Sequence, residues 1–275
     1  MKSKIFTAAP LSFTGQKKRF LKAFKVTLND YSPTATYVDL FGGSGLLSHT
    51  IKSIYPNAHV IYNDYDNYCK RLRNINITNC LLADIRGIIG SISKHERLSE
   101  VTKEKIIKKI ESQLINSYVD WITISASLLF QNKFAFSLDE LKKSTMYNNV
   151  RQTDYDASGY LDGLTVVSKD YRKLFDAYKD CDNVVFVVDP PYLSTLTIPY
   201  TMSWKLADYL DVLQVLEGYN YFFFTSNKSS IIELCEWIGA QTIKANPFKD
   251  AKMHTTQNTI NYSSTYTDIM LYKNE

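Results

Sequence analysis

The sequence predicts an α/β fold: a mostly parallel sheet with helices on both faces and one mostly helical insertion. Three observations predict it. Val184-Val185-Phe186-Val187-Val188 is an unbroken apolar, β-branched run, the pattern of a strand buried on both faces. Residues 36–41 read as a strand, followed at once by Gly42-Gly43-Ser44-Gly45 and a helical segment over 46–54, the opening of a βαβ unit. Between about residues 84 and 162 the strand pattern disappears and apolar residues recur at helical spacing. At 275 residues, 45% of them hydrophobic, the chain can bury a sizeable core.

Residues 10–28 read as a turn feeding a helix, with Phe20, Leu21, Phe24 and Leu28 on one face and Lys17, Lys18, Arg19, Lys22 and Lys25 on others. The turn holds Phe13-Thr14-Gly15-Gln16-Lys17, a glycine and a lysine at a helix entrance, which suits a carboxylate. In 36–45 the strand ends Asp39-Leu40-Phe41 before the glycines, which let backbone pass where a Cβ would obstruct. A further strand, 60–64, ends in Asn63-Asp64 about twenty residues on, the place of a ribose-binding carboxylate.

The insertion carries an amphipathic helix over 103–117, with Ile106, Ile107, Ile110 and Leu114 on one side and Lys105, Lys108 and Lys109 opposite, and a second helix over 121–130. Lys142 and Lys143 lead into a polar, aromatic, loop-like stretch containing Tyr147, Asn149, Arg151 and Gln152. Arg, Asn and Gln read purine edges, and tyrosine stacks or touches phosphate. The sheet returns over 164–168 and ends at Lys169-Asp170-Tyr171. A helix over 204–216 points Leu206, Leu210, Leu213 and Leu216 to the core, and a buried strand over 219–225 ends at Ser226-Asn227. A helix over 231–238 follows, then two closing strands, 241–245 and 266–272, joined by a polar loop over 246–265.

The apolar run at 184–188 stops at Asp189-Pro190-Pro191-Tyr192. Two prolines forbid continuation of the sheet and stiffen the loop, which lies beyond a strand's carboxyl end, where open α/β sheets bind ligands. A carboxylate, a proline carbonyl and an aromatic ring together suit an exocyclic amine on a flipped base.

On this signature and the order of motifs, the chain resembles the Dam-type DNA adenine methyltransferases over residues 11–227. The resemblance implies a Rossmann-like class I methyltransferase sheet formed by 1–84 and 163–275, with 85–162 as an inserted target-recognition subdomain. Asp189, Pro190, Pro191 and Tyr192 become the catalytic loop. S-adenosylmethionine is implied as cofactor, held by Phe13, Thr14, Gly15, Lys17, Asp39, Phe41, Gly42, Gly43, Ser44, Gly45, Asn63, Asp64, Asp170, Tyr171 and Asp189. Arg151, Asn149, Tyr147, Lys142 and Lys143 are the candidates for touching double-stranded DNA. Asp39-Leu40 departs from the family's more usual Pro-Phe but leaves the glycine loop intact.

The expected activity is transfer of methyl to the N6 amine of a flipped adenine, with an RNA or protein-glutamine amine methyltransferase, or a catalytically silent nucleic-acid-binding fold, as the alternatives. The large insertion favours DNA, and intact Asp189, Asp64 and Lys17 favour activity. Cytosine ring-carbon chemistry is excluded because no proline precedes a cysteine, and a nicotinamide oxidoreductase because the glycine spacing is wrong. The net charge of +4 permits an anionic partner without requiring one. Cys69, Cys80, Cys181 and Cys235 lie far apart, so no metal or disulfide framework is expected. No apolar segment follows Lys2 and Lys4, and Tyr221-Phe222-Phe223-Phe224 is too short to span a membrane. A cytoplasmic protein of a bacterial or phage-infected cell is expected, with the oligomeric state open between monomer and dimer and a cognate restriction endonuclease as a conceivable partner.

Overall fold

In a computed structural model, the structure describes residues 4–130, 133–191, 206–240, 246–261 and 264–274. In chain order the elements are α1 (Leu21–Leu28), β1 (Thr36–Asp39), α2 (Leu46–Ile54), β2 (His59–Asn63), α3 (Tyr68–Arg73), α4 (Ile75–Ile89), α5 (Glu100–Asn116), α6 (Trp121–Leu128), α7 (Leu138–Lys143), β3 (Thr165–Val167), α8 (Tyr171–Tyr178), β4 (Val184–Val188), α9 (Leu206–Leu216), β5 (Asn220–Ser226), α10 (Ile231–Ala240), β6 (Lys252–Asn261) and β7 (Ser264–Lys273). The chain divides into two compact units: 1–8, 15–66 and 159–275 form the first, and 9–14 with 67–158 the second.

The first unit is built on one sheet, seven-stranded among the described residues, in the order β3-β2-β1-β4-β5-β7-β6. Its first five strands pair in parallel and β7 pairs antiparallel with β5 and β6. This is a Rossmann-like methyltransferase sheet. From β1 the chain moves outward through β2 to β3, then returns to β4 on β1's other side and continues to β5. The order therefore reverses between β1 and β4, and a crevice opens beyond their carboxyl ends.

All five side chains of β4 are buried, as a strand covered on both faces requires. In β5 the side-chain alternation of a strand sends successive rings to opposite faces. Phe222 and Phe224 meet α1 through Phe24 and Phe20, with ring centroids 4.8 and 5.5 Å apart. Tyr221 and Phe223 join the core on the other face with Phe186, Leu213, Ile231 and Phe248. The stripe read from the sequence of α1 is thus the stripe that covers the sheet, and burying each such ring stabilises by about 1.5–3 kcal/mol.

Three expectations need correction. The stretch 246–265 is not a plain loop: half of it is β6, which forms a hairpin with β7. As an edge strand with largely exposed side chains it needs no apolar alternation, and Thr255, Thr256 and Gln257 hide it from a hydrophobic pattern. Leu210 is 39% exposed, the inner face of α9 being carried by Tyr209, Val212, Leu213 and Leu216. Leu114 is likewise exposed, because the buried stripe of α5 ends at Ile110. The strand expected over 241–245, Trp204 and Tyr192 lie outside the described residues.

The second unit packs α4 and α5 through Leu81, Leu82, Ile85 and Ile89 against Ile106, Ile107 and Ile110. Side-chain caps start three of its helices: Ser99 accepts from the Thr102 amide, Asp120 from Thr123 and Ser137 from Glu140. The segment 9–14 is held by two side chains of α3. Tyr68 bonds the Leu11 backbone through its hydroxyl, and Arg71 donates to the Ser12 carbonyl at 2.7 Å. Arg71 also forks onto Asp120, with Nε 3.0 and 3.1 Å from the two carboxylate oxygens, both side chains being almost wholly buried. Removing the acid strands a buried guanidinium, which costs far more than the pair contributes. Asp120→Ala is therefore expected to lower unfolding stability by about 3–5 kcal/mol. Urea denaturation followed by circular dichroism measures this, and a loss below about 1 kcal/mol contradicts the buried-pair account.

Candidate active site

The parallel register sets Asp39 beside Val187, so the turn after β1 and the Asp189-Pro190-Pro191 turn after β4 leave the sheet side by side. Leu40 extends the pairing one step by donating to the Val187 carbonyl at 3.0 Å. The glycine loop and the acid–proline loop, 144 positions apart in sequence from Gly45 to Asp189, thus meet at the crevice where strand order reverses.

Lys17 enters this place from the turn before α1. Its Nζ lies 2.5 Å from an Asp189 carboxylate oxygen and donates to the Gly15 carbonyl at 3.0 Å. Burial pushes the Asp189 carboxyl above its ordinary range, and Lys17 opposes that by favouring the charged form, while Asp268 on β7 adds to the rise. Sequence placed Lys17 at a cofactor and Asp189 at the chemistry; the structure puts them in direct contact. Pro190 is buried and Pro191 partly so, as the end of a strand that dives into the core requires.

Asp39 points inward rather than toward the crevice. It is 1% exposed and accepts a 2.6 Å hydrogen bond from the Ser48 hydroxyl of α2. Burial pushes its pKa up to about 7, with the Ser48 hydroxyl and Phe41 amide pulling down and the Asp189 charge pushing up. Asn63 spends its amide on backbone: Nδ2 donates to the Leu40 and Lys169 carbonyls and Oδ1 accepts from the Lys169 amide, each at 2.9 Å. It ties the end of β2 to the chain leaving β1 and β3.

The glycines have an internal reason. A Cβ on Gly42 would drive into the Tyr62 ring and sit 2.8 Å from the Asn63 carbonyl; Gly45, with φ of 74°, has Leu161 and the same ring at 3.3 Å. The loop therefore wraps a fully buried tyrosine of β2. Tyr62 in turn donates to the Gly43 carbonyl at 2.7 Å and approaches Asp64 Oδ1 at 3.2 Å. Asp64 is 7% exposed at the end of β2.

Asp170 caps α8 by accepting from the Arg172 amide at 2.9 Å. Tyr171 is buried, its hydroxyl donating to the Asp208 carbonyl, and its ring lies 5.0 Å from Phe41, the more open of the two rings. Arg172 reaches Asp208 and Asp211 at 2.7 Å, fastening α8 to α9.

Phe13 and Thr14 belong to the second unit, where the Phe13 ring meets Tyr68 edge-on at 5.5 Å. The five residues proposed from sequence for nucleic acid are also there. Arg151 is exposed, stacks 4.5 Å over Tyr155 and donates to the Thr153 hydroxyl. Asn149 is engaged by the Leu129 carbonyl and His95, and Tyr147 is half-buried near Phe130. Lys142 and Lys143 lie exposed in the last turn of α7, with Lys142 3.4 Å from Glu111.

Sequence reasoning missed Tyr62 and Tyr160. Tyr160 is buried and donates to the Ser44 carbonyl at 2.9 Å from 116 positions away, so nothing local marks it. Among the described residues, no group of three or more His, Cys, Asp and Glu gathers as a metal site, and no helix is long and apolar enough to cross a membrane.

A glycine loop after the first strand, an acid at the end of the second and an acid–proline loop at the switch point define a methyltransferase. The family model for D12 class N6 adenine-specific DNA methyltransferases matches residues 13–259, and the chain belongs to that family. A Haemophilus influenzae (strain Rd) protein described as "Putative methyltransferase" is 39% identical over 282 aligned positions, covering 98% of this chain and 93% of that protein.

The Lys17–Asp189 contact generates a direct test. Removing the cation leaves burial and Asp268 unopposed, so Lys17→Met raises the Asp189 titration midpoint further. Carbon-13 NMR of the side-chain carboxyl in the two proteins checks this, and an unmoved midpoint removes Lys17 as the stabilising charge.

Proposed function

We propose that this chain moves a methyl group from S-adenosylmethionine to the exocyclic N6 amine of an adenine flipped out of double-stranded DNA. The observation that carries the proposal is the juxtaposition of Asp189-Pro190-Pro191 with the glycine loop across β1 and β4, with Lys17 on the acid. Family membership supports the substrate class.

The residues present fit the cofactor. Among the described residues, the amides of Gly42, Gly43 and Ser44 donate to no protein acceptor, which suits its carboxylate. Asp64 supplies an acid at the end of β2 for ribose hydroxyls, and Phe41 an accessible ring near its adenine. When bound, the cofactor supplies an electrophilic methyl on a sulfonium.

An adenine amine is a poor nucleophile because its lone pair is delocalised into the ring. The Asp189 carboxylate and Pro190 carbonyl each accept one of its N–H bonds, which favours a pyramidal nitrogen and returns electron density to it. Fixed acceptors aimed at developing positive charge act by electrostatic preorganisation, and placement supplies much of the remainder. Lys17 favours the ionised form of the carboxylate and orients it for the amine. Proline at both following positions keeps the loop from relaxing toward the sheet. Tyr192, outside the described residues, is assigned to stack on the flipped base. The second unit is assigned to target recognition, with exposed Arg151, Lys142 and Lys143 as its candidates, in the cytoplasm of a bacterial or phage-infected cell.

Single-molecule sequencing of DNA from cells expressing the protein beside cells expressing Asp189→Ala tests this. Methylated adenines in one short motif are expected, lost in the variant, with the methylation rate down by about 10²-fold or more. Unmodified DNA from both samples shifts the substrate to an RNA or protein amine. Separately, Asp64→Ala is expected to weaken S-adenosylhomocysteine binding about tenfold or more while leaving DNA affinity unchanged, since a hydrogen-bonded charge typically contributes 1.5–3 kcal/mol. Isothermal titration calorimetry showing unaltered affinity removes Asp64 from the cofactor site.

A further inference from the structure

We propose that Tyr62 and Tyr160 are positioning residues of the glycine loop: their hydroxyls bind its carbonyls so that its amides are presented to an anionic group. The inference rests on the cofactor assignment above and adds to it two residues whose role no motif reveals.

Every carbonyl of the loop is occupied from within the first unit. Gly42 accepts from the Gly45 amide at 2.7 Å, Gly43 from the Tyr62 hydroxyl at 2.7 Å, Ser44 from the Tyr160 hydroxyl at 2.9 Å, and Gly45 from the His49 amide at 2.8 Å. The first and last of these are the ordinary bonds of a turn and a helix start. The middle two are supplied by side chains, and both come from tyrosines almost fully withdrawn from solvent, one on β2 and one just before β3.

Fixing a peptide's carbonyl on one side fixes the direction of the next residue's amide, because the peptide unit is planar and trans. Binding the Gly43 carbonyl therefore aims the Ser44 amide, and binding the Ser44 carbonyl aims the Gly45 amide at the Gly42 carbonyl, closing the turn that carries the open amides. Positive φ at Gly43 and Gly45, 49° and 74°, is the alternation that makes successive amides converge on an anion. Without the Tyr62 hydroxyl the 43–44 peptide is free to rotate its carbonyl toward the crevice, where an acceptor would repel a carboxylate, and without the Tyr160 hydroxyl the turn is closed by the Gly45–Gly42 bond alone. The rings are themselves pinned: Tyr62 fills the space that Gly42 and Gly45 leave, and Tyr160 stacks on His49 at 4.9 Å and meets Phe6 edge-on at 4.9 Å. His49 fixes the Tyr160 backbone as well, its Nδ1 lying 2.8 Å from that residue's carbonyl. The hydroxyls therefore act from anchored rings, at little entropic cost.

Tyr62→Phe and Tyr160→Phe keep the buried rings and delete only the hydroxyls. Two ligands separate positioning from general damage: S-adenosylhomocysteine, which carries the amino-acid carboxylate, and 5′-methylthioadenosine, which lacks it. Each variant is expected to bind S-adenosylhomocysteine about fivefold to tenfold more weakly than wild type, the measure of one lost hydrogen bond. Tyr160→Phe should bind methylthioadenosine as wild type does and Tyr62→Phe, whose hydroxyl also approaches Asp64, should lose less for methylthioadenosine than for S-adenosylhomocysteine; both should bind DNA as wild type does, with KM for the cofactor raised and kcat at saturation unchanged. Equal loss for both ligands, or no loss for either, overturns the tyrosine roles while leaving the cofactor assignment standing. A wild-type protein that binds neither ligand overturns the cofactor assignment, and the tyrosine roles with it. Should a variant fail to fold, amide exchange in wild type decides: protection at residues 42–44 must appear with S-adenosylhomocysteine and not with methylthioadenosine, and equal protection by both rejects the proposal.

Discussion

The site depends on the parallel pairing of β1 with β4. That pairing is what places two loops from distant parts of the chain at one crevice, and it also brings together two acids, Asp39 and Asp189, at neighbouring strand ends. Like charges in a buried place resist ionisation together. The surroundings answer with one cation and one hydroxyl: Lys17 meets Asp189, and Ser48 donates to Asp39. The turn that carries Lys17 leads directly into α1, whose aromatic stripe packs on β5, so the position of the cation is set by the core.

A second constraint is steric. Tyr62 needs a volume that only glycine at 42 and 45 leaves, and the loop needs the Tyr62 hydroxyl to hold its turn. Each explains the other's residue type. A glycine-rich turn at the end of a first strand is usually explained by a ligand's approach; here packing accounts for two of its glycines before any ligand is considered.

The sheet was legible in sequence wherever burial imposes a pattern. The apolar run of β4 and the stripe of α1 could take few other forms, and the loop residues were found because their spacing follows the strand ends. Legibility failed where no such pattern exists. β6 carries polar, mostly exposed residues because an edge strand is held by backbone bonds to one neighbour. α3 and α4 include Asn67, Asn74, Asn76 and Asn79 at or near their starts and interior, residues that weaken helix propensity, so packing rather than local preference fixes them. Tyr160 acts across 116 positions, and a tertiary hydrogen bond leaves no mark in the local sequence. Asn63 enters the cofactor list through the family resemblance, and its three bonds to backbone, made across 23 and 106 positions, are tertiary contacts that the local sequence does not mark.

The two neighbouring acids divide their labour by environment. Asp39 is almost fully enclosed, and burial carries its carboxyl toward neutral pH. Asp189 keeps some exposure and holds a lysine in direct contact. Burial raises both carboxyls and each charge raises the other, while Lys17 in direct contact favours the charged form of Asp189. The two acids at neighbouring strand ends are therefore set apart by their partners, a cation at the end of β4 and a hydroxyl at the end of β1.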